Sequence, residues 1–355
     1  MPRVAVSAAR TLTTRELNRA LLARQFLLER SSLPMVATIE RIGGLQTQYA
    51  PSGYIGLWSR LRDFRRDALT EALRKRRVIQ GTLLRSTIHM VSARDYWLFV
   101  AAIRQPRQEW WRRVTRHEVP ERDMEGAVRI LREQLAIGPQ RADHLKKILA
   151  DRGLPRVAWN GVALWLEMVR IPPSGTWEQR RADLYGLADA WMRPAAHSEP
   201  AGLEHVIRRY LGGFGPATIR EIADWAGIPH TKLVPVLEQM SLQHFQDEQG
   251  KKLIDLPRAP LPDADTPAPV RFLPTWDAAL LVHARRSQIL PERYRPLVFN
   301  TRTPHSVPTF LIDGAVAGTW RVEGGRVELK PFEPIPRALK REVDDEAQRL
   351  AAFIR

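Results

Sequence analysis

The stretch GGLQTQYAPSGYIGLWSRL, residues 43–61, places two glutamines, Gln46 and Gln48, one residue apart, and no charged residue lies between Arg41 and Arg60. An amide carries a carbonyl acceptor and an NH2 donor but no proton to give or take near neutral pH. Residues i and i+2 point to nearly opposite sides of a helix, whereas in an extended segment they share a face. The pair Gly43–Gly44 ends the preceding helix, so the glutamines are expected to project together while Thr47 points away. Two parallel amides can hold one water, or one sugar-like group, in a fixed position. The same pattern also suits a surface turn or a hydrogen bond at a helix C-terminus, which is the commoner use.

Other residues invite chemical readings. The run Arg74, Lys75, Arg76, Arg77 ends a helical segment, where cations can meet phosphates without reading sequence or stabilise a helix C-terminus. In LLRSTIHMVS, His89 follows Arg85 by four residues, on the same face of a strand of period two, where both could line a groove or serve structure. EWWRRVTRH, residues 109–117, mixes aromatics with arginine; stacking on unpaired bases is conceivable, but helix packing by Trp110 and Trp111 is the favoured reading. The histidines show no HExxH or other metal-ligand spacing, and there is no Walker loop, GxGxxG or GxSxG. No metal site and no cofactor are expected. A hydrolase built on paired carboxylates needs a committed acid pair; the best isolated candidate is Asp277, after FLPTW.

The elements that must position these residues repeat. EGAVRILREQLAIGPQRADHLKKIL (125–149) and GLEHVIRRYLGGFGPATIREIADWAG (202–227) each read as an amphipathic helix, a Gly-Pro and a second short helix. Gly138–Pro139 and Gly215–Pro216 are expected to open those second helices. After the later copy, Thr231 can cap a third helix, and FQDEQGKKLIDL turns at Gly250 as a hairpin would. After the earlier copy, WNGVALWLEMVRI supplies the third helix and PPSGTWEQRRADLYGLA the hairpin, with Ser174–Gly175 at its tip. Three helices and a hairpin make a winged helix, a helix-turn-helix variant. The N-terminal part reads as another copy: TTRELNRALLARQFLLER capped by Thr13 or Thr14, with Leu17, Leu21 and Leu28 on one face, then SLPMVATIERIGG, RRDALTEALRKRRV and the hairpin VIQGTLLRSTIHMVS. Its middle link is longer and holds the glutamines. A proline-rich linker follows the third copy, and beyond it TFLIDGAVAGTWRVEGGRVELKPF alternates and turns at Asp313–Gly314 and Gly324–Gly325, before a terminal amphipathic helix.

The chain has 355 residues and a formal charge of +16, from 55 Lys+Arg against 39 Asp+Glu, with almost all the cations arginine. Arginine binds phosphate with a planar fork and stacks on bases, so a polyanion, above all nucleic acid, is the expected partner; an arginine-rich proteome is the plain alternative. With no cysteine, disulfides, zinc–thiolate sites and thiol catalysis are excluded. Residues 1–10 do not read as a signal peptide, and no apolar run is long enough for a membrane span. The cytoplasm is the expected location.

Taken in order, LNRALLARQFLLER, GGLQTQYAPSGYIGLWSRL, GTLLRSTIHMVSARDYW, RFLPTWDAALLVHARRSQILPERYR and DGAVAGTWRVEGG resemble the winged-helix DNA glycosylases related to AlkZ, the azinomycin-resistance enzyme, and YcaQ. The resemblance runs across nearly the whole chain. It implies an α+β fold of three tandem winged helices (11–120, 121–195 and 198–257), a linker (258–269) and a C-terminal β-rich domain (270–355), in a C-shape with a basic concave face. It implies a monomer that excises bulky or cross-linked N7-alkylated purines from duplex DNA, in general repair or in self-resistance to a genotoxin, with Gln46 and Gln48 as the Gln-x-Gln catalytic pair. The related branch carries Gln-x-Asp, and the middle residue is usually apolar; Thr47 departs from that. Arg74, Lys75, Arg76, Arg77, Arg85 and His89 are assigned to DNA contact. A cationic N7-alkylpurine is already a good leaving group, so the enzyme needs a placed water and a polar setting for an oxocarbenium-like transition state. A non-catalytic winged-helix regulator or architectural DNA binder is the competing expectation.

Overall fold

The computed structural model describes residues 10–280, 286–300 and 305–355. Residues 1–9, and residues 281–285 within the RFLPTWDAALLVHARRSQILPERYR stretch, lie outside the described residues. The first region runs β1 (Arg10–Leu12), α1 (Thr14–Arg24), α2 (Met35–Arg41), β2 (Leu45–Gln46), α3 (Ala50–Arg60), α4 (Arg66–Arg74), β3 (Val78–Thr82), β4 (Ile88–Ser92) and the long α5 (Ala93–Thr115). The second runs α6 (Glu121–Ile137), β5 (Gln140–Arg141), α7 (Ala142–Asp151), α8 (Arg156–Val162), β6 (Met168–Arg170), β7 (Leu184–Leu187) and α9 (Ala188–Trp191). The third holds α10 (Glu199–Phe214), α11 (Ile219–Ala226), α12 (Val234–Leu237), β8 (Gln243–Asp247) and β9 (Lys252–Asp255). The C-terminal region holds β10 (Arg271–Leu273), α13 (Arg295–Val298), β11 (Phe299–Asn300), β12 (His305–Ser306), β13 (Thr309–Ile312), β14 (Ala315–Glu323), β15 (Arg326–Pro331) and α14 (Arg337–Ile354). The fold is thus mixed α+β.

Local chemistry accounts for several boundaries. Thr13 caps α1 in a reciprocal capping box, its backbone N–H donating to Glu16 at 2.8 Å while Glu16 N–H donates to Thr13 Oγ1 at 3.1 Å, which satisfies two of the helix's free donors. Thr218 and Glu221 do the same for α11. The hairpin β8–β9 turns at Gly250, and β13–β14 and β14–β15 turn at Asp313–Gly314 and Gly324–Gly325, all with positive φ.

Elsewhere the structure departs from the sequence reading. Gly138–Pro139 and Gly215–Pro216 follow the first helix of each pair and do not open the second. Gly138 and Gly215 are the C-caps of α6 and α10, and the next helices begin at Ala142 and Ile219. Thr231 lies inside a single 3-10 turn, His230–Lys232, and caps no helix. The segment read as one helix from Trp159 to Ile171 is split: α8 ends at Val162, and Met168–Arg170 joins a sheet. The first helix stops at Arg24 with Phe26 at φ 54°, so Leu28 is not on its face. Most consequential, APSGYIGLWSR forms an 11-residue helix, α3, where a link was expected.

The sheets cross the expected boundaries. A six-stranded sheet of order β2–β4–β3–β6–β7–β5 joins the first two regions through the Gly81–Val169 pairing. β1 pairs in parallel with β8, closing the N-terminus onto the third hairpin. The proline-rich segment 257–269 has no regular structure, but α1 holds it: Arg15, Arg19 and Arg24 donate to the carbonyls of Ala264, Thr266 and Pro260. One core packs α5 against α10 and α11 around Phe99, Tyr210 and Trp225. The crossing is close: a Cβ at Gly202 of α10 would meet the Ala102 nitrogen of α5 at 2.6 Å. A second core buries α3 and α4 against the C-terminal sheet through Tyr54, Phe272, Phe310 and Trp320.

Candidate active site

The glutamines are placed by what precedes them. α2 gives way to Gly43 and Gly44 at φ +79° and +81°, a left-handed pair that turns the chain back. A Cβ on Gly44 would stand 2.9 Å from Val91 Cγ1 and 3.0 Å from the Met90 carbonyl, so glycine is required by conformation and by space. The chain then runs extended along β4. Leu45 pairs with Met90 and Gln46 with His89, and the Thr47 N–H donates to the Ile88 carbonyl at 2.8 Å. α3 starts at Ala50 and covers this strand from behind. Its glycines allow close approach: a Cβ at Gly53 would lie 2.9 Å from Thr47 Cγ2, and one at Gly56 would lie 3.4 Å from Leu45 Cδ2.

Gln46 is buried and Gln48 is exposed. The side-chain oxygen of each accepts from a group that can only donate. Arg85 Nη2 donates to Gln46 Oε1 at 3.1 Å, and the Ile88 N–H donates to Gln48 Oε1 at 3.2 Å. These partners fix which end of each amide is oxygen, and each oxygen keeps a second lone pair. Thr47 is wholly buried, and its carbonyl accepts from Arg170 Nη1 at 2.9 Å. The Thr47 hydroxyl has no hydrogen-bond partner among the described residues.

His89 is buried beside Gln46. Its Nδ1 lies 3.0 Å from the Thr87 carbonyl and its Nε2 lies 3.5 Å from Arg85 Nη2. A carbonyl only accepts and a guanidinium only donates, so the ring is neutral with its proton on Nδ1. Burial first, and the Arg85 charge second, push its pKa down from 6.5 to about 3. Arg85 is not on the strand face expected for it. It occupies a 3-10 turn, Leu84–Ser86, at the tip of the β3–β4 hairpin, with φ 53°, and still reaches both Gln46 and His89. Burial, and then the like charge of Arg286, push its pKa down to about 10.

Arg74, Lys75, Arg76 and Arg77 all lie exposed at and beyond the end of α4. Lys75 pairs with Glu71 at 3.0 Å, and Arg76 stacks over Trp191 at 4.3 Å from the ring centroid. Trp111 packs α5 onto α8, where a Cβ at Gly161 would collide with its ring at 2.3 Å; Trp110 stays partly exposed under Arg107. Asp277 is no free carboxylate: Arg60 clamps it with two bonds of 2.8 Å, both side chains fully buried. Sequence reading missed a cleft of about 1110 Å³ walled by Tyr49, Ser52, Trp177, Trp276 and Trp320 from distant parts of the chain, with neither glutamine in its lining. Only the run of apolar and aromatic residues after Gln48 hinted at it.

The chain matches the family described as DNA glycosylase AlkZ-like over residues 39–353. It belongs to the AlkZ-like DNA glycosylase family. The matched range contains both glutamines and the hairpin that carries Arg85 and His89. No curated protein matches the chain. Among solved structures it is similar to the Streptomyces sahachiroi DNA glycosylase AlkZ, at 18% identity and a TM-score of 0.80, with 97% of each chain covered. At that identity the likeness establishes a shared fold from end to end. Among the described residues of this AlkZ-like chain, no helix is long and apolar enough to cross a membrane, and no cluster of His, Asp or Glu has the arrangement of a metal site.

Proposed function

We propose that the protein is a monofunctional DNA glycosylase that hydrolyses the N-glycosidic bond of bulky or cross-linking N7-alkylated purines. Water adds to C1′, the base leaves through N9 and takes the electron pair of the broken bond, and the surplus proton passes to solvent. An abasic site remains. Gln46 and Gln48 are the residues that act on water and sugar. Each oxygen is anchored by one donor and keeps a lone pair for the water or for the cationic sugar carbon. Neither amide is a strong base, which suits a leaving group that departs on its own charge.

The carrying observation is this pair of oriented amides, Gln46 held by Arg85 and Gln48 by the Ile88 N–H, in a chain of the AlkZ-like DNA glycosylase family. The repeated order of helices followed by a hairpin supports three winged-helix modules at 11–120, 121–195 and 198–257, with the linker 258–269 and the domain 270–355 completing a C-shaped monomer. The exposed cations Arg74, Lys75, Arg76 and Arg77 provide phosphate contact on its basic inner face. The role that follows is repair of alkylated DNA in the cytoplasm, at the nucleoid, and self-resistance where the cell itself makes the alkylating genotoxin.

Single-turnover release of the modified base from duplexes carrying N7-methylguanine or a bulkier N7 adduct tests the reading. Release with an abasic product supports it. Tight, sequence-selective binding without release from any such duplex would give preference to a DNA-binding regulator.

A further inference from the structure

Charge alone assigns Arg85 to DNA, yet its guanidinium faces inward. Nη2 donates to Gln46 Oε1 at 3.1 Å and lies 3.5 Å from His89 Nε2, while Nη1 donates to the backbone carbonyl of Trp225. That carbonyl belongs to the last turn of α11, where helix carbonyls lack partners within the helix and carry partial negative charge. Arg107 serves the same end. It donates to the Gly227 carbonyl at 3.2 Å and, through Nε, to Ser86 Oγ at 3.1 Å. Two arginines therefore join the C-terminus of α11 to the Leu84–Ser86 turn, and one of them continues to Gln46.

The backbone is shaped for this contact. Arg85 and Ser86 have φ of 53° and 59°, a conformation that non-glycine residues adopt only when their surroundings hold them there. The facing position is Gly227, itself at φ +74°, where a Cβ would sit 3.1 Å from Arg85 Cα and 3.2 Å from Arg85 N. The turn thus rests on the backbone of α11's C-cap, and a larger residue there would displace it.

We infer that Arg85 is a positioning residue for Gln46, and that the C-terminus of α11 sets the orientation of the Gln46 amide through it. With Oε1 held by Arg85, the Gln46 NH2 group is presented on the other side of the amide, towards the space that a water or sugar oxygen would fill. His89, neutral and accepting, gives Arg85 a second contact and keeps it from swinging away. Arg85 is then withheld from phosphate. This inference rests on the glycosylase reading for its catalytic consequence, but the coupling itself is structural.

The test uses the full-length protein with Arg85→Ala, Arg85→Lys and Gly227→Ala. Three quantities are measured: the single-turnover release rate of N7-methylguanine from a duplex at saturating protein, affinity for undamaged duplex over a salt series, and the side-chain NH2 resonances of Gln46 in 15N-glutamine-labelled protein. Arg85→Ala should slow release about 10–100-fold, as loss of alignment does, with affinity and salt slope unchanged. Arg85→Lys should recover part of the rate, since an ammonium can still donate to Oε1. Gly227→Ala, which removes no donor, should slow release about 5-fold by the same misalignment. All three should move the Gln46 resonances. If Arg85→Ala leaves the saturated rate intact and lowers the salt slope by about one, Arg85 is a phosphate contact and the inference is overturned. Unmoved Gln46 resonances would overturn it as well. If wild-type protein releases no base while the resonances shift, the coupling stands and the glycosylase reading is what fails.

Discussion

Arg60, in the last turn of α3, and Arg85, which donates to Gln46, have opposite fates. Arg60 is fully buried and meets a carboxylate: two bonds of 2.8 Å to Asp277, with further donations to the Gly56 carbonyl and Gln25 Oε1 at 3.0 and 3.2 Å. Arg85 is half-buried and faces neutral acceptors, namely an amide oxygen, an imidazole nitrogen and a helix-end carbonyl. The first arrangement neutralises a charge and fastens α3 to the C-terminal region. The second leaves a net positive charge next to an uncharged pair of amides. In this arginine-rich chain, the class of acceptor separates an arginine that secures the fold from one that orients a reacting group.

Breaking the Arg60 side of the comparison should have the largest effect. Asp277→Ala strands a guanidinium in the core, and removing one partner of a buried ion pair costs about 3–5 kcal/mol. Denaturant unfolding should show that loss, while the fraction that stays folded excises base at the normal rate. A normal stability with abolished excision would instead make Asp277 a reacting group.

On the Arg85 side, Gln46→Ala or Gln48→Ala should slow base release by roughly 10²–10³-fold, the usual cost of removing one transition-state contact. DNA affinity and melting temperature should hardly change. Wild-type rates in both variants would reject the assignment.

His89 sharpens the comparison by its protonation state. Its folded pKa, about 3, lies below the unfolded 6.5. The unfolded chain therefore binds a proton first as pH falls, and the stability contributed by neutral His89 is present above pH 6.5 and lost as pH drops toward 3. Between pH 7 and pH 5 that loss amounts to roughly 2 kcal/mol. His89→Asn should flatten this part of the stability–pH curve, and an unchanged curve would show that the ring titrates alike in the folded and unfolded chain.

The exposed arginines should act differently from both. Replacing Arg74 and Arg77 with alanine should lower the salt slope of duplex binding by about one for each phosphate no longer neutralised and leave release at saturating protein unaltered. A slope that stays the same would remove this run from the DNA-contacting face.

The smallest effect is expected at Thr47. Its buried hydroxyl lacks a partner among the described residues, so the near-isosteric Thr47→Val should stabilise the fold by about 1 kcal/mol or less with excision unchanged. A drop in release would place the hydroxyl in the chemistry.

How much of this was legible depended on the range of the interaction. The extended glutamine strand could be read because Gly43 and Gly44 act within a few residues of it. The Thr13 cap and the turns at Gly250, Asp313–Gly314 and Gly324–Gly325 are local in the same way. α3 was not legible. Gly53 and Gly56 lower intrinsic helix propensity, and the helix is held by packing its glycines on Thr47 and Leu45 and its aromatics on the C-terminal sheet. The fate of Asp277 was hidden for a related reason, since its partner Arg60 lies 217 residues away.

By itself the sequence determined the charge that calls for a polyanion, the helix–hairpin punctuation and the extended run that follows the Gly43–Gly44 turn, because composition, turn chemistry and side-chain period act locally. Tertiary structure alone decided which arginines are neutralised, which end of each glutamine is anchored and where the cleft opens. Those outcomes depend on donors and acceptors that meet only when α3, the Leu84–Ser86 turn, α11 and the C-terminal sheet pack together, and no local pattern specifies such meetings.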